Sequence, residues 1–221
     1  MAKARDRFDR RVVPGSVIEL LRACQEAAAC HLAGGAALSG VYLGHRLTGD
    51  LDLFVHDREE MRSLAHLLPG IASACGAGIQ VQRDTGHLVR ARVRTAEADV
   101  ELDLVHEPVA DLEPPVVIEG VAVESLADLR ANKITCLLSR SEPRDLVDLL
   151  FLEREGFPVD ADLRLALAKD AGIDPGILAW LLAEFPITPL PQMLEQLSTE
   201  ELRRFRDQLA ARLRDLAVGP K

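Results

Sequence analysis

Two short segments in which acidic and apolar residues alternate constrain this fold more than any other feature of the sequence. The first, DLDLFV, carries Asp50 and Asp52, and the second, DVELDLV, carries Glu101 and Asp103. Side chains alternate between the two faces of a β-strand, so each segment predicts a strand with two acids on one face. Like charges this close repel one another and resist burial, which favours a role in binding a divalent cation.

The two predicted strands together favour a cluster of three carboxylates. If the strands lie side by side, one acid of the second strand completes a site with Asp50 and Asp52. Asp103 is favoured because its flanking leucines mirror those around Asp52, and Glu101 remains the alternative. The opposing interpretation is that Gly49 and Asp50 form a turn and that the acids are simply solvated.

A glycine pair precedes the first acidic strand. Gly34 and Gly35 follow a predicted short strand at 31–33 and precede a predicted helix at 36–43. A backbone without side chains at the start of a helix can approach phosphate oxygens closely. The glycines therefore favour a phosphate site beside the acidic strand. The next predicted helix, at 57–75, is expected to be interrupted near Pro69.

A further predicted helix, at 126–139, places cations on its apolar side. At about 100° per residue, Lys133 and Arg140 fall within the apolar arc, and Arg130 lies near them. Cations at such positions need an anionic partner unless their stems extend to water. We favour the phosphate of a nucleotide as the anion, and extension to water is the alternative.

An ordered series of motifs resembles a known family. AGGAAL and LGHRLTGDLDLF, followed by LRANKITCLLSR and RDLVDLLFL, are similar to the signature of the AbiEii/AbiGii group of nucleotidyl transferases. The resemblance covers about residues 29–152. It implies a polymerase-beta-like nucleotidyltransferase fold, an α/β (α+β) core with a mixed sheet, followed by a C-terminal helical region. Ala36 departs from the family, which usually has Thr or Ser after the glycines, and it removes a hydroxyl that could contact phosphate.

The resemblance implies transfer of a nucleoside monophosphate from a nucleoside triphosphate to an acceptor by two-metal catalysis with Mg²⁺, or with Mn²⁺ in its place. The implied catalytic residues are Asp50, Asp52, Asp103, Lys133 and Asp145. The implied nucleotide-binding residues are Gly34, Gly35, Ala36, Arg46, Lys133 and Arg140. The metal ligands would be Asp50, Asp52 and Asp103, with Glu101 and Asp148 less favoured.

Composition bounds the remaining expectations. A net charge of −9 over 221 residues argues against a protein that holds long nucleic acid. The basic run from Lys3 to Arg11 lies in an expected flexible tail, 1–15, of a core at 1–156, and a helical region follows at 157–221. Six histidines show no metalloprotease spacing, and four cysteines are too scattered for a zinc motif or a disulfide framework. With no membrane-spanning run and no secretory signal, we expect a cytoplasmic protein without a membrane partner.

The resemblance also implies a biological setting. Similar proteins are toxins of type IV toxin–antitoxin systems, so the expected partners are a nucleoside triphosphate, a cognate antitoxin, and a tRNA or protein acceptor. Two alternatives stay open at this point. One is an enzyme that modifies an antibiotic, and the other is a catalytically impaired binding module, which Ala36 favours.

Overall fold

The computed structural model describes residues 4–219, which divide into two compact units. The first unit is Ala4–Ser125, and the second begins at Leu126. This division falls earlier in the chain than the expected core boundary at residue 156. The boundary of the functional core stays a prediction.

Seven strands of the described chain form one mixed sheet in the first unit, in the order β3-β4-β5-β2-β1-β7-β6. The neighbours β2 and β5 are parallel, as are β1 and β7, and the other neighbours are antiparallel. This arrangement confirms the predicted α/β core with a mixed sheet. The strands are β1 (His31–Ala33), β2 (Asp50–Val55), β3 (Gly78–Asp84), β4 (Leu88–Arg94), β5 (Asp99–His106), β6 (Val116–Ile118) and β7 (Val121–Val123).

Strand β2 has the alternation that its sequence predicts. Leu51, Leu53 and Val55 are buried, whereas Asp50 and Asp52 on the other face are only partly buried. Burial of the aliphatic face stabilises the strand by roughly 1.5–3 kcal/mol per side chain, which fixes the register and therefore the face on which the acids lie.

The helices of the first unit are α1 (Gly15–Ala27), α2 (Gly34–Ala37) and α3 (Arg58–Ala74), with a π-helical turn at Leu38–Leu43. The expected interruption of α3 near Pro69 is wrong, because the helix continues through this residue. Leu68 and Ala72, on either side of the proline, are fully buried and hold this part of the helix against the core. At its start, the Asp57 side chain accepts hydrogen bonds from the amides of Glu59 and Glu60.

The expected flexible tail is wrong for the described residues 4–15, which pack against the first unit; Lys3 lies outside the described residues. Phe8 and Val13 are buried, and a side chain at Gly40 of the π-helical turn would meet both of them. The amide of Asp9 donates to the carbonyl of Gly40 at 2.8 Å. Burial of apolar residues within the basic run is the physical reason for this order.

The second unit is helical. Helices α4 and α6 pack against each other, and so do α7 and α8. Packing of helices across residue 156 explains why the division of the chain falls before α4. Within residues 4–219, every helix is too short or too polar to cross a bilayer. The helices are α4 (Leu126–Ser139), α5 (Pro143–Arg154), α6 (Val159–Lys169), α7 (Pro175–Ala183) and α8 (Thr199–Val218).

Candidate functional site

The parallel pairing of β2 with β5 brings the two acidic segments together. Asp50 is paired with Glu101, and Asp52 is paired with Asp103. Residues paired in register point to the same face of a sheet, so all four carboxylates share one face. The structure therefore brings together the predicted acids of both strands. We refer to these four residues as the acidic face.

The first glycine leaves the space that the Asp52 carboxylate occupies. Gly34 has a φ of +64°, and a Cβ added there would collide with Oδ2 of Asp52. Ala33 pairs with Asp52 across β1 and β2, which sets this approach. A glycine is therefore required both for the left-handed backbone and for the space that the carboxylate occupies.

The second glycine gives room to a buried cation. A Cβ added at Gly35 would lie 2.7 Å from Nη2 of Arg46, a residue that is only 2% exposed. Both the backbone and the side chain of Arg46 are held by hydrogen bonds. Ser39 Oγ donates to the Arg46 carbonyl at 2.6 Å, and Arg46 Nη1 donates to the Leu47 carbonyl. The space beside the glycine pair is thus filled by a carboxylate and a guanidinium of this chain.

Strand β4 supplies a partner for the acidic face that the sequence analysis left unassigned. Arg90 is paired with Asp103 across β4 and β5, and its Nε and Nη2 donate to the two carboxylate oxygens at 2.8 and 2.7 Å. Glu101 lies 3.6 Å from the same guanidinium. The hydrogen bonds to Asp103 raise the pKa of Arg90 above its ordinary value. The run LVRARVR was the available signal, because its arginines share one strand face.

The donor set fits a hard divalent cation in part. Asp50 and Asp52 are partly exposed carboxylates on one face, and oxygen ligands suit Mg²⁺. Both oxygens of Asp103 accept hydrogen bonds from Arg90, and the expected three-carboxylate cluster of Asp50, Asp52 and Asp103 stays a prediction. Across the described residues, the one group of three ligand atoms from His, Cys, Asp or Glu within 4.8 Å of one another lies elsewhere, at His31, His56 and Asp111.

In the second unit, the cations of α4 meet carboxylates of neighbouring helices. Lys133 Nζ lies 3.0 Å from Asp145 and 2.7 Å from Asp148, and all three residues are buried. Extension of Lys133 to water is therefore wrong. Asp128 of the same helix is fully buried and pairs with Lys169 at 2.6 Å.

Asp145 joins both predicted nucleotide-binding cations of this unit. Arg140 donates to its two oxygens at 2.8 and 2.9 Å, and Lys133 contacts it as well. Burial acts to raise the pKa of Asp145, but the charges of Lys133 and Arg140 outweigh it and hold the pKa below its ordinary value. The carboxylate is therefore ionised at neutral pH and stabilises both cations. Whether these residues also contact a nucleotide stays a prediction.

Comparisons with known proteins identify the family and the fold. The family model for the AbiEii nucleotidyl transferase toxin of type IV toxin–antitoxin systems matches residues 19–220. JHP933 from Helicobacter pylori aligns with a TM-score of 0.59 at 21% identity, over 91% of this chain and 90% of that chain. MenT4, a nucleotidyltransferase toxin from Mycobacterium tuberculosis H37Rv, aligns with a TM-score of 0.65 at 17% identity, over 92% and 85%. No curated protein sequence matches the chain. The structural likenesses confirm the predicted nucleotidyltransferase fold.

Proposed function

This chain belongs to the AbiEii family of nucleotidyl transferase toxins, and we propose that it transfers a nucleoside monophosphate from a nucleoside triphosphate to an acceptor. The observation that carries the proposal is the acidic face, where parallel pairing sets Asp52 beside Asp103 and Asp50 beside Glu101. Gly34, which leaves room for the Asp52 carboxylate, supports it.

Two residues are the proposed core of a Mg²⁺ site. Asp50 and Asp52 would hold the metal, and Mn²⁺ would serve in its place. When bound, such ions supply charge that favours ionisation of an acceptor hydroxyl and release of pyrophosphate. Asp103 and Glu101 both remain candidates for the third metal ligand. Either carboxylate would have to replace a contact with Arg90 by a bond to the metal.

The remaining residues of the first unit would position the nucleotide. Backbone amides of Gly34 and Gly35 are proposed to contact the phosphates, because Ala36 offers no hydroxyl. The buried Arg46 would add positive charge beside them. Arg90 would keep Asp103 oriented, through its two hydrogen bonds, until a ligand reaches the acidic face.

The second unit carries the other residues that we propose for nucleotide binding and catalysis. Lys133 is held in place by Asp145 and Asp148, and Arg140 is held by Asp145. A cation that is fixed before the ligand arrives loses little conformational freedom on binding phosphate. Asp145 would act by orienting these cations, and Asp148 is the weaker candidate for a metal ligand.

The biological role that we propose is the toxin component of a type IV toxin–antitoxin pair. The partners would then be a nucleoside triphosphate, a cognate antitoxin, and a tRNA or protein acceptor. The cytoplasm is the proposed location, because it supplies nucleoside triphosphates. An antibiotic acceptor is the alternative within the same chemistry.

A specific observation favours one rival of a different class, a binding module without transfer activity. Ala36 lacks the family's hydroxyl, and Asp103 is occupied by Arg90. Calorimetry separates the two proposals. An active enzyme binds both Mg²⁺ and a nucleoside triphosphate, whereas an impaired relative binds one or neither.

The direct test supplies the protein with Mg²⁺, each of the four α-³²P-labelled triphosphates, and a choice of total tRNA, cell protein or an aminoglycoside. The proposal expects label on one acceptor class, and no label after chelation of the metal. Growth arrest on expression, relieved by the product of a neighbouring gene, supports the toxin role, whereas raised drug tolerance supports the antibiotic acceptor. Absence of nucleotide binding and of transfer to every acceptor would contradict the proposal.

A further inference from the structure

Two histidines and one aspartate come together in the first unit at the far end of β2 from Asp50. His31 is the first residue of β1 and pairs with Phe54, and His56 directly follows β2. His31 and His56 lie on the sheet face that carries Phe54, and their ring centroids are 5.7 Å apart. Asp111, in the connection between β5 and β6, lies against both rings.

The ligand atoms of the three residues are spaced for one metal ion. Nε2 of His56 lies 3.2 Å from Oδ2 of Asp111, and Nε2 of His31 lies 3.9 Å from Oδ1. All three ligand atoms lie within 4.8 Å of one another. A tetrahedral zinc ion with bonds of about 2.0–2.2 Å requires ligand atoms about 3.3–3.5 Å apart. Adjustments of up to about 1.5 Å would close the site.

A second contact orients one ligand for metal binding. Nδ1 of His56 lies 2.7 Å from the carbonyl oxygen of Glu107, and a carbonyl only accepts, so Nδ1 carries the hydrogen. This leaves Nε2 as the nitrogen that faces Asp111. Histidines that bind metals commonly donate their other ring N–H to a carbonyl or a carboxylate in this way. The amide of Glu107 in turn donates to the carbonyl of Val55 at 3.0 Å, which fixes this carbonyl relative to β2.

Partial burial is compatible with such a site. The side chains of His31 and Asp111 are 5% and 18% exposed, whereas that of His56 is 41% exposed. A carboxylate and two imidazoles held together, two of them largely shielded from water, favour a bound cation. The exposed edge at His56 leaves one position for water, as at zinc sites with three protein ligands.

We propose that His31, His56 and Asp111 bind one Zn²⁺ ion, which fastens the connection between β5 and β6 to the ends of β1 and β2. This site is separate from the proposed Mg²⁺ site. Asp52 lies four residues before His56, about 13 Å along the strand. Imidazole nitrogens select zinc and similar transition metals, whereas carboxylates without histidine suit Mg²⁺. The long spacing between the three residues in the chain hid this site from the sequence analysis.

The test uses full-length protein without a histidine tag, stripped with a chelator and then titrated with Zn²⁺. We expect one zinc per chain by elemental analysis after gel filtration. His56→Ala and Asp111→Asn should weaken zinc binding by at least about 100-fold, because each removes a direct ligand. His87→Ala is the matched control, since the ring of His87 also lies 5.7 Å from another histidine ring, that of His106. Among residues 4–219, His87 belongs to no such group of three ligands.

Cobalt gives an independent readout. Co²⁺ bound to the wild type should show the visible absorption of a tetrahedral site, and the His56→Ala variant should lose it while its circular dichroism is unchanged. Asp52→Asn should leave zinc binding as in the wild type, so the result does not depend on the proposed transferase activity. Substoichiometric zinc in the wild type, or equal affinity in His56→Ala, would overturn the site and leave an ordinary ion pair of His56 and Asp111.

Discussion

At the scale of single residues, the glycine pair shows how residues without a side chain leave room for large neighbouring side chains. Gly34 and Gly35 are required by the close approach of Asp52 and Arg46, both of which belong to this chain. The sequence indicated that a backbone must be approached at this point. The sequence could not identify the group that approaches the backbone, because the approach depends on the pairing of β1 with β2.

Gly34→Ala should therefore damage the site through strain. The new methyl group would collide with the Asp52 carboxylate, and the left-handed backbone would add about 1–2 kcal/mol of strain. We expect a loss of at least about 2 kcal/mol of stability in urea unfolding. Gly49→Ala is the control, because its Cβ would meet no atom within 4 Å. Equal stability of the two variants would show that Asp52 is free to move aside.

The acidic face was predictable in part for a local reason. Alternation along a strand depends only on the strand period, so the sequence predicts that the two acids of each strand share a face. That all four acids lie on one face depends on the register of β2 against β5. The partner of Asp103 does not follow from the sequence either, since Arg90 reaches it only through the register of β4 against β5. The assignment of the third metal ligand stays open for the same reason.

At the scale of elements, helix α4 is stabilised by ion pairs rather than by a purely apolar face. The sequence placed cations on the apolar side of this helix. It could not identify their partners, because Asp145 and Asp148 belong to α5, and Asp162, which pairs with Arg130, belongs to α6. Helix packing decides these partners.

Lys133→Met should strongly destabilise the second unit. The substitution leaves Asp148 and Asp145 buried with less positive charge beside them, which costs about 3–5 kcal/mol. Arg203→Met is the control, since it breaks an exposed pair with Glu200 and should cost less than about 1 kcal/mol. Urea unfolding measures both. A cost for Lys133→Met as small as that of the control would mean that Lys133 is solvated.

The segment before α1 shows a second element that the sequence misjudged. Charged residues dominate residues 4–11, and this pattern is typical of a solvated tail. Phe8 is nevertheless 4% exposed, and its amide donates to the Glu119 side chain at 2.9 Å. A few apolar side chains were enough to order the described segment.

Phe8→Ala should lower the free energy of unfolding by about 3 kcal/mol, because it removes a buried aromatic ring. Arg7→Ala, at the exposed neighbouring position, should change it by no more than about 0.5 kcal/mol. Thermal unfolding followed by circular dichroism compares the two variants. If both unfold at the wild-type temperature, this segment contributes nothing to the core.

At the scale of the whole molecule, the fold was predictable from the sequence, whereas the boundary of the functional core stays a prediction. Ordered motifs with acidic strands indicated the nucleotidyltransferase fold, and the structural likenesses confirm it. The division of the chain before Leu126 depends on which helices pack against α4. The sequence alone does not identify those helices.

We propose that the acidic face performs metal-dependent nucleotidyl transfer. The most direct test of this proposal compares Asp52→Asn with Asp84→Asn in transfer of label from an α-³²P triphosphate to a mixture of cell RNA and protein. Asp84 is exposed on β3 and accepts from the amide of Gly86, a contact that asparagine preserves. We predict that Asp52→Asn lowers transfer by at least about 100-fold with its circular dichroism unchanged, while Asp84→Asn stays at the wild-type rate. Equal transfer by the two variants would contradict the account.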